Sequence, residues 1–119
     1  MTNEAFAEFF KDRTKNWAIQ VIKYLETIPP SPTFQVIRFQ LVKSATSTAA
    51  NYRAACRARS NAEFISKISI SLEEADESLF WLEIIEGTQI NSSEKLIALQ
   101  QEAQEIVSVL AKTRKNTQK

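Results

Sequence analysis

Residues 60–87 read SNAEFISKISISLEEADESLFWLEIIEG, and one face of this stretch is written in steps of three and four: Ile65, Ile68, Leu72, Ala75, Leu79 and Leu82. That spacing is the apolar stripe of a helix packed in a bundle. Its start is marked by Ser60-Asn61-Ala62-Glu63, a capping box in which the Ser60 hydroxyl accepts from the Glu63 amide and the Glu63 carboxylate reaches back to the Ser60 amide. Its stop is Gly87, where a left-handed residue carries no Cβ penalty. The stretch predicts a helix over about 61–86.

Outward from this segment the breakers are few. Gly87 is the single glycine, and the three prolines fall together at 29, 30 and 32, so long breaker-free stretches favour helices over strands. A first helix over about 4–27 ends before Pro29-Pro30-Ser31-Pro32, because a residue preceding proline is pushed out of the helical region. A second, capped by Thr33, runs over about 33–58 with Phe34, Ile37, Leu41, Thr48, Tyr52 and Ala55 along its seam. Asn91-Ser92-Ser93-Glu94 repeats the box chemistry and opens a fourth over about 92–112, with Leu96, Leu99, Ala103, Ile106 and Leu110 inward. The tail, 113–119, is polar and expected to fray. Short connections between four helices predict an all-α, antiparallel up-down-up-down four-helix bundle made by the whole chain as one domain.

A chain of 119 residues, 44% apolar, buries about two-thirds of its unfolded surface and needs neither disulfide nor metal to fold. With no His and one Cys it lacks Ser-His and Cys-His pairs, His-containing zinc sites and the Glu-x-x-His element of di-iron bundles. No catalytic residue, metal ligand set or cofactor is expected, and the chain reads as a non-enzyme. Glu73-Glu74-Ala75-Asp76-Glu77 reads as a solvated or salt-bridged face. Cys56, among Ala54, Ala55 and Ala58, reads as a small packing residue, with a thiol activated by Arg53, Arg57 and Arg59 as the alternative. No apolar run approaches a membrane span, and Met1-Thr2-Asn3-Glu4 does not open a signal peptide, so the expected location is the cytoplasm, with no membrane partner.

Apolar surface is in excess. Trp17, Ala18, Val21, Ile22, Tyr24, Leu25 and Ile28 span an arc of about 160° on the first helix, wider than the roughly 100° that a bundle stripe needs. On the third helix Ile70, Trp81 and Ile84 lie opposite the seam, flanked by Phe80 and Ile85. Monomers rarely leave such contiguous patches in water, so a closed homo-oligomer is expected, with Trp17, Ile22, Ile70, Phe80, Trp81 and Ile84 as interface candidates.

Charge is patterned although the net is +1: residues 38–67 carry six basic groups and one acidic, residues 68–105 one basic and nine acidic, and residues 106–119 four basic. Gln40, Ser44, Ser47 and Asn51 form one polar row on the second helix, read as a hydrogen-bonded seam that lets helices approach closely, with a ligand groove as the alternative. Lys43, Arg53, Arg57 and Arg59, with Lys67 beyond the turn, have two competing partners: the carboxylates at 73–77, or the phosphates of nucleic acid bound without sequence reading.

Taken together, Gln40-Leu41-Val42-Lys43-Ser44-Ala45-Thr46-Ser47, Ala50-Asn51-Tyr52-Arg53, Ala58-Arg59-Ser60, Glu63-Phe64-Ile65-Ser66-Lys67, Glu73-Glu74-Ala75-Asp76-Glu77 and Trp81-Leu82-Glu83 resemble the bacterial family named after large-subunit ribosomal RNA intervening-sequence proteins. The resemblance covers about residues 13–110 and departs from the family pattern at Ala54, where Glu is frequent. It implies a four-helix bundle that commonly forms a ring of five, hence a homopentameric scaffold. It also brings in the similar accessory variability determinant of diversity-generating retroelements. That likeness implies, as the alternative function, an accessory protein binding structured RNA or an RNA–DNA hybrid beside a reverse transcriptase. The near-neutral charge here departs from those strongly basic proteins.

Overall fold

Side-chain hydroxyls open every helix. In the computed structural model, which describes residues 1–118, α1 (Asn3–Leu25) is capped by Thr2, α2 (Pro32–Ala55) by Ser31, α3 (Asn61–Gly87) by Ser60 and α4 (Glu94–Thr117) by Ser93. Each oxygen accepts from the amide three residues on, which satisfies one of the four amides a helix start leaves without a partner. The α2 cap is therefore Ser31 and not Thr33. Pro32 sits at the first helical position, where a missing N–H costs nothing and the fixed φ suits the helix.

The helix ends differ more from expectation. α1 stops at Leu25 and α2 at Ala55, each followed by a tight turn rather than more helix. α3 runs through Gly87, which does not take a positive φ; the left-handed residue is Gln89, φ 60°. The helix thus ends at Gly87 with the left-handed residue two positions beyond it, and the Thr88 hydroxyl donates to the Ile84 carbonyl at 2.7 Å, which helps satisfy the helix end. The Glu63 half of the capping box is not made, and its carboxylate turns instead toward Arg59, 3.9 Å away. α4 is helical to Thr117, beyond the expected end at 112; Lys119 lies outside the described residues.

The four helices form an all-α, antiparallel up-down-up-down bundle measuring 44 × 24 × 19 Å. α1 packs on α2 and α4, and α3 packs on α2 and α4, with the α2–α3 seam most extensive and the α1–α4 seam least. Register is fixed by polar pairs. Ser44 Oγ and Ser78 Oγ lie 2.8 Å apart, and Ser71 Oγ donates to the Thr48 carbonyl at 2.8 Å, all fully buried. A hydroxyl that reaches the neighbouring helix's backbone requires close approach, and Ala45 and Ala75, with no exposed surface, provide the room. Across the looser seam the Arg13 guanidinium donates twice to Glu102, at 2.7 Å each, and once to Glu105 at 2.6 Å. These carboxylates raise the Arg13 pKa, the hydrogen bond to Glu102 most.

The α3 stripe is rotated from the one expected. Its buried line is Ile68, Ser71, Ala75, Ser78, Leu82 and Ile85, while Ile65, Leu72 and Leu79 flank it half-buried. Serines that bond helix carbonyls are cheap in a narrow seam, so the stripe turns toward them. Ile85, expected beside the outer stripe, is in the core.

Candidate functional site

Three surfaces carry the sequence candidates. The first is a belt of apolar side chains near the Pro29-Pro30 end of the bundle. Trp17 is not part of it. It is 3% exposed, and its indole N–H donates to the Leu99 carbonyl at 3.3 Å. Ala18, Val21, Tyr24, Leu25 and Ile28 are buried as well. Apart from the half-buried Ile22, the wide α1 arc is thus consumed within one copy, because α1 packs on both α2 and α4. Tyr24 is held there by donating to Asn91 Oδ1 at 2.8 Å, and burial pushes its phenol up to about 12.

What remains outside is larger than the sequence candidates. Ile22 lines a groove with Arg38, Phe39 and Val42, and Phe39 is 64% exposed and Val36 61% exposed on the outward side of α2. The Ser44–Ser78 pair sets Trp81 and Ile84 of α3 at the level of residues 38–41 of α2, so the half-buried Trp81 and Ile84 and the exposed Phe80 girdle the bundle at the same height. The Phe80 and Trp81 rings meet edge to face at 5.0 Å, and the Trp81 indole N–H lies 3.4 Å from a Glu77 carboxylate oxygen. Ile70, at the margin of exposure, sits three turns up α3, apart from the belt. Val36 and Phe39 escaped notice in the sequence because the α2 seam was already complete without them; their positions opposite Phe34, Ile37 and Leu41 were the available signal.

The polar row splits by depth. Ser44 is buried in the α2–α3 seam, and Asn51 Nδ2 donates to the Ser47 carbonyl at 2.9 Å and Ser47 Oγ at 3.0 Å. Gln40 is half-buried one turn above Ser44. Lys43 stands apart from the other basic candidates, ten residues and about 15 Å of helix from Arg53. It faces Glu74, whose carboxyl is raised above its ordinary range by burial first and then by Glu77, with Lys43 and Glu73 acting in opposite senses. Among the described residues no three His, Cys, Asp or Glu side chains gather to hold a metal ion.

The third surface is the opposite end of the bundle. Antiparallel order brings together the α2–α3 turn, with Arg53, Arg57 and Arg59, and the last turns of α4, with Lys112, Arg114 and Lys115. Between them lies a cavity of about 690 Å³ with Phe6, Tyr52, Cys56, Asn61, Phe64 and Asn116 in its wall. Burial pushes the Cys56 thiol up, and the neighbouring arginines do not lower it, so it stays protonated at neutral pH and is no activated nucleophile. A second groove, about 540 Å³, follows the loose α1–α4 seam past Phe9, Arg13, Trp17, Lys95 and Leu99.

Among the described residues no helix is long and apolar enough to cross a membrane. No curated protein matches the chain. Among solved structures, a crystal structure of a protein of unknown function from the S23 ribosomal protein family of Bacteroides thetaiotaomicron VPI-5482 is similar: 30% identity, TM-score 0.81, covering 88% of this chain and 97% of that one. The 23S rRNA-intervening sequence protein family matches residues 10–112, which take in all of α2 and α3 and most of α1 and α4, and the chain belongs to that family.

Proposed function

We propose that the protein is a non-enzymatic, cytoplasmic scaffold that assembles with copies of itself into a closed ring, for which the family likeness implies five members. The observation that carries this reading is the belt over α1, α2 and α3, in which Val36 and Phe39 keep more than half of their surface in water, with Ile22 in the same groove as Phe39 and with Phe80, Trp81 and Ile84 at the same height of the bundle. A contiguous apolar patch on a soluble domain marks an interaction surface. The α1–α4 groove, floored by Trp17 and Leu99, is a second and different apolar feature on another face. A contact between two unlike patches is head-to-tail and closes into a ring when its rotation permits.

Sedimentation equilibrium at tens of micromolar tests the reading. The expected species is a multiple of the 13.5 kDa chain, and Trp81→Asp reduces it toward a single chain. A wild-type protein that stays monomeric overturns the scaffold. Assembly unchanged in Trp81→Asp overturns the belt as its contact.

A further inference from the structure

The chain's charge blocks have a spatial consequence that its net of +1 conceals. The arginines of the α2–α3 turn and the basic tail are more than fifty residues apart in sequence, yet both lie at the same face of the rod, because α2 and α4 run toward it in the same direction. Among the described residues, Arg53, Arg57, Lys112, Arg114 and Lys115 have no carboxylate within 4 Å, and Arg59 has Glu63 only at 3.9 Å. Among the described residues the carboxylates at this end are fewer: Glu4 in the cavity wall, Glu8 paired with Lys11, and Glu63. α2 and α4 are diagonal partners whose axes lie about 13 Å apart at ordinary helix spacing, so the two groups of cations rise from opposite corners of the end face.

What lies between the two groups is aromatic. Phe6 stacks through one face on Phe10, with centroids 5.8 Å apart and planes 8° apart, and Phe10 meets Tyr52 edge to face at 4.8 Å. Phe6 itself lines the cavity and is 37% exposed, with the Phe9 ring tilted beside it at 6.5 Å, so part of its ring remains open to another flat ring. Asn61 and Asn116 add amide donors and acceptors to the same wall. Cations that track a phosphate backbone around an aromatic platform are the two parts that single-stranded nucleic acid requires, and duplex bases are not available to such a platform.

We propose that this end of the bundle binds single-stranded nucleic acid, with phosphates held by the α2–α3 turn and the α4 end and one unstacked base seated against Phe6. The site is distinct from the belt and does not depend on assembly through it.

The test is anisotropy of a short labelled single-stranded RNA and of its duplex, each titrated with the full chain at about 50 and about 200 mM salt. With about four phosphates neutralised, single-strand affinity falls about 50-fold between the two salts, and removing two contacts in Arg57→Ala/Lys115→Ala cuts that fall to about sevenfold. The single strand binds at least about tenfold tighter than the duplex, in line with base stacking on an aromatic ring. Phe6→Leu, which keeps the apolar packing, erases that preference without changing the salt dependence, and Phe6→Tyr retains it. Absence of binding at the lower salt, equal affinity for both forms, or a preference that survives Phe6→Leu overturns the proposal.

Discussion

Replacing Phe39 by Asp separates assembly from folding more cleanly than any other change in the belt. Phe39 is 64% exposed in a single copy; an aromatic side chain presents roughly 200 Å², so about 130 Å² awaits burial, worth about 3 kcal/mol at about 25 cal/mol per Å². That is about a hundredfold in the dissociation constant of each contact, before the cost of desolvating a carboxylate is added. Folding of the single chain should change by less than about 0.5 kcal/mol, since the position is on the outside of a helix and Asp and Phe have similar helix propensities. The assay is sedimentation velocity over a concentration series, with thermal melts run below the dissociation concentration so that assembly does not contribute to the melting temperature. An association midpoint that moves by less than about threefold would refute the reasoning, because the exposed ring would then not be what a neighbouring copy covers. Loss of folding in the dissociated chain would refute it differently, by showing that Phe39 packs within its own bundle.

Two further outcomes follow from the α2–α3 seam. Ser44→Ala and Ser78→Ala should each cost about 1 kcal/mol in denaturant unfolding, and the double variant should cost about 1 kcal/mol less than their sum, because the 2.8 Å pair is lost only once; strict additivity would mean the hydroxyls act independently and the row is no network. Glu74→Gln should raise the melting temperature at pH 7. The Glu74 carboxyl is raised above its ordinary 4.5 by burial, so the folded state holds its proton to higher pH than the unfolded state does, and stability declines as pH rises through that window. The gain should therefore vanish below about pH 4.5, and a gain equal at both pH values would assign the effect to packing instead of charge.

The helices and their order were legible because the signals that mark them are local. Ser60, Ser93 and the Pro29-Pro30-Ser31-Pro32 cluster act within one turn of where they stand, and each set a boundary to within a few residues. The faces were harder, because a helical stripe read from hydrophobicity cannot see a serine that is buried by bonding to a neighbouring carbonyl. Ser71 and Ser78 are fully buried for that reason, and their presence turned the α3 stripe by about one side-chain position. Trp17 shows the converse error. Its large apolar ring and the width of the α1 arc suggested an outward face, but the Leu99 carbonyl and the open α1–α4 seam give an indole a place inside. Whether surplus apolar area is truly surplus depends on how tightly each pair of helices packs, and that is a property of two segments at once.

Charge illustrates the same point at the scale of the whole rod. The tally of basic and acidic blocks is fixed by the sequence, but only the direction of each helix decides which blocks become neighbours. Had the bundle run up-up-down-down, α2 and α4 could not both have delivered their C-terminal cations beside the start of α1. In the observed order the acidic α3 carries Glu73, Glu74, Asp76 and Glu77 along the flank, two or more turns from Arg57, so the basic end is only partly compensated, by Glu4, Glu8 and Glu63. A cyclic assembly of the proposed kind would relate its copies by rotation about one axis, which preserves each rod's direction along that axis. Every basic end would then emerge on the same rim, and a polyanion too weakly held by one copy could be held by several at once.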